Sequence, residues 1–383
     1  MNRFSAQLLL NPIFVNTSTP VGGANMERST GTAFGPLGAA FLAGRIADRV
    51  VLGAGFYIEQ GYGATFDNVI NVDGAAGNTE GEDLSVRQFN GEAAVGTSFE
   101  ITDRFSVGLA LRLPFAVQTA DLYQNVGAGL GAPITLYARV KNELSGVGFP
   151  SPRFGIHYQP NKHIEFGAMY RMYSKINMHG TTRTSLLGPD PLLASANWVV
   201  PHAVQGGLAA HLLDQKLMLV GELRLQFHDA KKHGNEDQTV VVSNTPIPTD
   251  PVVAPFNWRN VWSVKLGGEY RFSELFALRA GGNIAVSNIR EAYAQYFTPP
   301  PGFSPAVTAG FGFHWDHVDL DFATLISWSS STIDPSVSAP GQTITAGDRQ
   351  VQVCSSEQVV RTGCAGKYKT NSYWASINLT YRL

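Results

Sequence analysis

The sequence is poor in charge and contains no long apolar run. Charged residues make up 15% of its 383 residues, against about 25% in typical soluble proteins, so the chain has less water-exposed surface to cover. Uninterrupted apolar runs are short, such as residues 50–56, whereas a membrane-spanning helix needs about 18 apolar residues. If this protein enters a membrane, it must therefore cross it with strands.

Binding and catalytic motifs are also missing. The net charge of −2 provides no attraction for a nucleic acid, and there is no GxSxG, HExxH or phosphate-binding loop. We therefore expect no enzyme activity, no cofactor, no metal site and no nucleic-acid partner. A lipase-type outer-membrane enzyme assembled from scattered serine and histidine residues stays open as a rival. His157, His211 and His228 are better explained as polar lumen residues than as general bases.

Glycine and aromatic residues are abundant instead. The 40 glycines, 22 phenylalanines and 13 tyrosines are typical of many strands with aromatic rings at a membrane interface. The last residues of the chain alternate between apolar and polar side chains, as in a strand with one apolar face. This face consists of Tyr373, Ala375, Ile377, Leu379, Tyr381 and Leu383. A solvated sheet edge of this kind invites aggregation, whereas a barrel pairs its last strand with its first and abolishes the edge.

Strand pairs joined by very short turns recur along the chain. Six such pairs occur, with turns such as 47–49 and 102–104, and one further strand lies at each end. The sequence therefore predicts an all-β, transmembrane antiparallel β-barrel of about 14 strands, occupying residues 1–383 as a single domain. The long connections are expected to be extracellular loops, at about residues 117–151, 177–201, 229–258 and 329–370.

Alternation along the predicted strands separates charge from apolar side chains. Arginine or lysine on the lipid face costs about 2–4 kcal/mol at the bilayer midplane, so the charged side should face the lumen. This predicted lumen network consists of Arg112, Arg171, Glu222, Arg224, Lys265, Glu269, Arg271, Arg279, Asp319 and Asp321. We interpret it as a structural salt-bridge network, and a direct role in substrate passage stays open.

Three segments, residues 158–171, 200–230 and 258–281, together resemble one family. The matching residues are Tyr158, Pro160, Asn161, Gly167, Tyr170, Arg171, Pro201, Trp258, Trp262, Gly267, Glu269, Tyr270, Leu278, Arg279 and Gly281. Their order and spacing resemble the outer-membrane long-chain fatty acid and aromatic hydrocarbon transporters, the FadL/TodX (OMPP1) family. The resemblance runs from about Arg3 to Leu383.

The resemblance implies a 14-stranded barrel in the bacterial outer membrane that takes up a hydrophobic molecule. It implies capture in a groove between two long extracellular loops, passage through the lumen and lateral release through a kinked third strand. The expected partners are a hydrophobic small-molecule or lipid ligand and outer-membrane lipids, and the barrel is expected to be monomeric. A general diffusion porin is the nearer alternative.

Apolar residues in the predicted loops and lumen are the candidate ligand contacts. The loop candidates are Leu122, Tyr123, Leu130, Ile134, Leu136, Tyr137, Leu186, Leu187, Leu192 and Leu193. They could instead pack on each other to cap the barrel. The inward candidates are Met169, Tyr173, Met218 and Leu325. A lateral exit is predicted at Gln60, Gly61 and Gly63, because glycine in a strand often marks a bend or bulge.

The two cysteines lie in the last predicted loop. Cys354 and Cys364 are expected to form a disulfide, with two free thiols as the alternative.

The first predicted strand follows Met1 almost directly, so the N-terminal plug of the family is expected to be absent from this sequence. A lost N-terminal segment is the explanation we favour, over a late gene start or a plugless member.

Overall fold

Strands dominate the computed structural model of the chain. It describes residues 4–20, 27–29, 33–69, 82–125, 137–184, 190–235, 237–245, 251–294, 297–334, 337, 342–346, 349–353 and 365–383. Within these ranges, fourteen antiparallel strands close into one barrel. No helix in this part of the chain is long and apolar enough to cross a membrane.

Nine barrel strands are continuous and five consist of two pieces. The continuous strands are β1 (Phe4–Pro20), β2 (Ala33–Ala47), β3 (Val50–Val69), β4 (Glu82–Thr102), β5 (Phe105–Asn125), β11 (Phe276–Val286), β12 (Phe303–His314), β13 (Val318–Ile333) and β14 (Gly366–Arg382). The divided strands are β6 (Tyr137–Val147, Ser151–Asn161), β7 (Ile164–Arg171, Ser174–Thr184), β8 (Leu192–Val200, Ala203–Leu212), β9 (Leu217–Gln226, Asp237–Ser243) and β10 (Val252–Pro255, Val261–Arg271). Outside the barrel wall lie the short strands Glu27–Ser29, Gln342–Ala346 and Arg349–Val353, and the 3₁₀ turns Lys231–His233 and Glu291–Tyr293.

The barrel closes by pairing of its first strand, β1, with its last strand, β14. β1 pairs with β2 on one side and with β14 on the other, where Ser5 lies opposite Arg382 and Leu8 opposite Leu379. The backbone N–H of Leu383 donates to the carbonyl of Phe4 at 3.0 Å. The prediction of a closed, 14-stranded antiparallel barrel is thus confirmed, and no edge remains where β1 and β14 meet.

Side chains switch sides at the interruptions of β6 to β8. Below the interruptions, on the side of the short turns, apolar residues such as Phe154 and Leu208 are exposed on the outer wall. Above them the outer wall carries polar side chains such as Lys175, while Ile176 and Met178 are buried inside. The lower wall therefore suits hydrocarbon and the upper pieces suit water, so the upper pieces project above the membrane.

Two belts of exposed aromatic side chains bound the apolar outer wall. The outer girdle, at the level of the interruptions, includes Phe14, Phe34, Trp262, Phe303, Trp328 and Tyr373. The inner girdle, beside the short turns, includes Tyr158, Phe166, Phe272, Trp315 and Tyr381. Aromatic rings favour the two membrane–water interfaces. The girdles thus define the spanning band independently of the polarity switch.

Strands reach further into the predicted loop segments than expected. Within 177–201, for example, the upper pieces of β7 and β8 form a hairpin in which Asn177 lies opposite Asn197. Strands likewise enter the segments 117–151, 229–258 and 329–370. Strands enter these segments from both ends because backbone pairing continues above the membrane, where the outward residues become polar and resemble a loop in sequence.

Candidate functional site

A layer of buried charge crosses the lower lumen. Glu92 on β4 accepts hydrogen bonds from the Tyr57 hydroxyl (2.6 Å), Arg112 Nη1 (2.8 Å) and Arg153 Nη2 (3.0 Å). Both Glu92 and Arg112 are almost completely buried. Arg112 also donates from Nη2 to Ser151 Oγ at 2.6 Å. Charge buried in this way must be paired, and these contacts supply the pairing.

Glu59 joins this layer from the third strand. A register shift between Ile58 and Gln60 places Glu59 in a bulge. Its carboxylate forms ion pairs with Arg171 on β7 and, at 2.5 Å, with Arg224 Nη2 on β9. We call Glu59, Glu92, Arg112, Arg153, Arg171 and Arg224 the charged layer. It holds four guanidinium groups but two carboxylates, and the buried Nε atoms of Arg112 and Arg171 have no hydrogen-bond partner among the described residues.

The other charged residues predicted for the lumen also form ion pairs there. Glu222 pairs with Lys265 at 2.7 Å. Glu269 pairs with Arg271 (2.8 Å) and Arg279 (2.7 Å), and Arg279 also pairs with Asp321 at 2.5 Å. Asp319 contacts His314 and Arg382. The structure thus brings all ten predicted lumen charges into ion pairs, together with Glu59, Glu92 and Arg153, which the predicted network omitted.

Apolar side chains fill the interior above the charged layer. We call this part of the lumen the apolar chamber; in it Leu144, Ile176, Met178, Trp198 and Trp258 pack together, all buried. The two indole rings pack edge to face with their centroids 5.2 Å apart. Ala116 on β5 belongs to the same cluster and lies two inward positions above Arg112. A hydrophobic interior therefore sits directly over a charged one.

The connection between β11 and β12 folds across the mouth of this chamber. Ile289 and Ala294 are buried in the cluster, and the Tyr368 hydroxyl donates to the carbonyl of Ala294 at 3.2 Å. Phe297 packs against Val86 on β4 and Ala120 on β5. Those strands lie on the opposite side of the barrel from β11 and β12. The described residues of segment 287–302 therefore form a strap over the lumen, which the sequence pattern did not reveal.

The predicted exit on β3 lies beside a groove in the lipid-facing wall. Gln60, Gly61 and Gly63 directly follow the bulged Glu59. Gly61 allows close packing, because an added Cβ would lie 3.0 Å from the ring of Phe89. Below the bulge, an apolar outer groove of about 770 Å³ is lined in part by small residues on neighbouring strands, including Ala40, Ala54 and Ala93.

The predicted ligand contacts do not converge on one pocket. Met169, Met218 and Leu325 are half-buried on β7, β9 and β13 and lie outside the apolar cluster. Tyr173 was predicted to face inward, and this is wrong. Its ring stacks on His233 with centroids 3.9 Å apart, on the outer wall. The interruption at residues 172–173 shifts the alternation by one, because Arg171 and Ser174 both face inward.

None of the predicted loop contacts lies in a loop within the described part of the chain. Leu192 and Leu193 belong to β8, where Leu192 is buried inside and Leu193 is exposed outside. Leu122 and Tyr123 lie in β5, and Tyr137 begins the upper piece of β6. Outside the described residues lie Leu130, Ile134, Leu136, Leu186, Leu187, Cys354 and Cys364.

Comparison with known proteins gives one family. The family model described as outer membrane protein transport protein (OMPP1/FadL/TodX) matches residues 15–369. The fold is similar to a Pseudomonas aeruginosa FadL homologue, with a TM-score of 0.76 at 15% identity, covering 100% of this chain and 90% of that one. It is also similar to the Ralstonia pickettii toluene transporter TbuX, with a TM-score of 0.71 at 16% identity and coverages of 100% and 90%. The Pseudomonas putida toluene transporter TodX gives 0.68 at 14% identity, with coverages of 100% and 89%. At these identities the structures establish a shared fold, and the curated protein sequences give no match.

Proposed function

The chain belongs to the OMPP1/FadL/TodX family of outer-membrane transport proteins, and we propose that it takes up a hydrophobic molecule through its apolar chamber. The observation that carries this proposal is the reversed polarity of the upper lumen, where Met178, Trp198 and Trp258 face inward above the membrane. Ligand sites are concave and mainly apolar with a few placed polar groups. A monomer is sufficient, since one chain forms the whole barrel.

An amphipathic acid such as a long-chain fatty acid fits this interior better than a neutral hydrocarbon does. Below the chamber, the charged layer has four guanidinium groups against two carboxylates, and the buried Nε atoms of Arg112 and Arg171 have no hydrogen-bond partner in the described part of the chain. A ligand carboxylate would accept hydrogen bonds of the strong, charge-assisted kind from such groups. Its alkyl chain would lie in the apolar chamber.

The proposed route begins at the extracellular end and ends in the wall of the barrel. Apolar residues of the two connections after β5 and β7 would capture the ligand, and segment 287–302 would move aside to admit it. The charged layer opposes straight passage of an apolar chain. We propose release through the wall at the Glu59 bulge, into the outer groove beside Ala54 and Ala93. This path spares an apolar molecule from crossing water.

Ligand binding can be tested on the purified barrel. Mass spectrometry would first identify any co-purified hydrophobic molecule, and a fatty acid and an aromatic hydrocarbon would then be titrated while tryptophan fluorescence is recorded. We expect saturable binding that perturbs Trp198, so that Trp198→Phe reduces the fluorescence change without abolishing binding of radiolabelled ligand.

Two matched variants on one strand sharpen the test. Met178→Gln places a polar group in the chamber and should weaken binding, whereas Thr181→Gln alters the outer wall of β7 and should not. Folding of each variant is checked by its heat-dependent mobility on a gel. Equal affinity of both variants for the ligand would contradict binding in the apolar chamber. Steady ion conductance without saturable binding would instead indicate a general diffusion porin.

A further inference from the structure

A pocket on the outer wall lies where β6 and β7 are interrupted. It has a volume of about 510 Å³, and its lining includes Phe149, Tyr173, Lys175, Lys232 and His233. The pocket opens away from the lumen, because Lys175 is exposed while its neighbours Ser174 and Ile176 are completely buried inside. We call it the girdle pocket, because it lies at the level of the outer girdle.

Aromatic and imidazole rings build one side of the girdle pocket. Tyr173 stacks on His233 and packs edge to face on Phe149, with centroids 5.4 Å apart. His202 lies beside both Tyr173 and His233, at centroid distances of 5.0 and 5.4 Å. The Tyr170 hydroxyl and His202 Nδ1 are hydrogen-bonded at 2.7 Å. These contacts fix a preformed wall rather than a set of loose surface side chains.

The girdle pocket is cationic. Neither Lys175 nor Lys232 forms an ion pair with any residue that the structure describes, and both side chains are exposed. On the outer face of β6, the nearest charged residue above the pocket is Glu143, which lies opposite Thr181, well above Lys175 along the strand. Two ammonium groups beside imidazole donors suit a phosphate, which carries about −1.5 to −2 charges near neutral pH.

The level of the pocket identifies the source of the phosphate. Immediately below it the outer wall is apolar, with Phe154 and Val204 exposed toward lipid, and above it Lys175 begins the polar wall. We propose that the girdle pocket binds the phosphorylated headgroup of a glycolipid in the outer leaflet, whose acyl chains continue down this apolar wall. A lipid held at this height would anchor the paired upper pieces of β6 and β7 to the membrane surface.

The test compares bound lipid in matched variants of the whole barrel. The detergent-solubilised protein is titrated with bisphosphorylated lipid A, with dephosphorylated lipid A and with inorganic phosphate, and bound ligand is counted by native mass spectrometry. The double variant Lys175→Gln, Lys232→Gln should bind bisphosphorylated lipid A on the order of tenfold more weakly. The control Lys367→Gln, Lys369→Gln changes exposed lysines on β14 and should bind it normally.

Each outcome decides the proposal. Tight binding of bisphosphorylated lipid A that falls in the Lys175, Lys232 variant alone supports it, provided that dephosphorylated lipid A binds weakly to all variants. Equal binding by the variant and its control would overturn the site. Equal binding of dephosphorylated lipid A would overturn phosphate recognition. Equally tight binding of inorganic phosphate would overturn the assignment of the phosphate to a membrane lipid.

Discussion

Replacing Glu92 by glutamine removes a carboxylate from the most buried part of the charged layer while keeping the size and shape of the side chain. Glu92 and its partner Arg112 have side-chain exposures of 1% and 0%. Arg153 donates to the same carboxylate. Arg171 also lies within ion-pair distance of it, at 3.7 Å. The variant therefore leaves three guanidinium groups in the lumen without this counter-charge, and water cannot solvate Arg112.

The expected cost follows from that burial. Removing one partner of a buried ion pair typically costs about 3–5 kcal/mol, because the remaining charge is left without compensation. The glutamine oxygen can still accept one of the hydrogen bonds now made by Tyr57, Arg112 and Arg153. We therefore expect the free energy of unfolding to fall by about 3 kcal/mol, at the lower end of that range.

The assay is reversible chemical unfolding of the barrel in phospholipid vesicles, followed by tryptophan fluorescence. Asp121→Asn serves as the control, since its partners Arg139 and Lys141 lie on the solvent-facing upper wall and such pairs contribute less than about 1 kcal/mol. Adding Arg112→Gln to Glu92→Gln should recover part of the loss. A loss for Glu92→Gln as small as for the control would refute the reasoning that this layer is a dry, paired network.

Three other predictions test the wall, a close strand contact and the strap. Leu266→Arg, on the exposed lipid face, should lower the free energy of unfolding by about 2–4 kcal/mol; no loss in the same titration would show that it does not face hydrocarbon. Gly180→Ala should speed amide hydrogen exchange in the upper β6–β7 hairpin, because its Cβ would clash with the carbonyl oxygen of Glu143, and unchanged exchange would contradict this packing. Oxidising the pair Phe297→Cys, Ala120→Cys, whose native residues pack together, should slow ligand entry until a reductant is added; entry at the normal rate would mean that segment 287–302 is not in the path.

The barrel could be predicted from sequence because lipid imposes a strict rule on every strand. An outward charge is costly and an unpaired edge is excluded, so period-two alternation, short turns and the apolar face ending at Leu383 all carry the same information. Arg112 and Glu269 could be placed in the lumen because the apolar residues of their strands, such as Leu111 and Tyr270, occupy the alternate positions that face lipid. Glu92 escaped the predicted network because the inward residues beside it, Asn90 and Ala94, are uncharged, so that its strand lacks a clear charged face.

Alternation alone cannot say which side of a strand faces inward. Around Lys175, Ile176, Asn177 and Met178 the period is the same as in the spanning band, but the apolar residues are the inward ones. The interruption at residues 172–173 changes the phase by one residue, which is why Tyr173 was placed on the wrong side. The strap of segment 287–302 has no periodic pattern, and only tertiary packing brings Phe297 to the far wall.

The reversal of polarity has a common physical cause in both halves of the barrel. Where the outer wall faces hydrocarbon, as at Leu266, the polar half of each strand must turn inward and find partners, which produces the charged layer. Where the outer wall faces water, as at Lys175, the apolar half turns inward and collects into the chamber. A barrel that extends past the outer girdle therefore acquires an apolar compartment outside the membrane and a charged one within it. Under the proposed route, this order lets an apolar chain enter readily but not continue straight down. Glu59, in the bulge of β3 above the wall groove, then lies where the route turns toward the membrane.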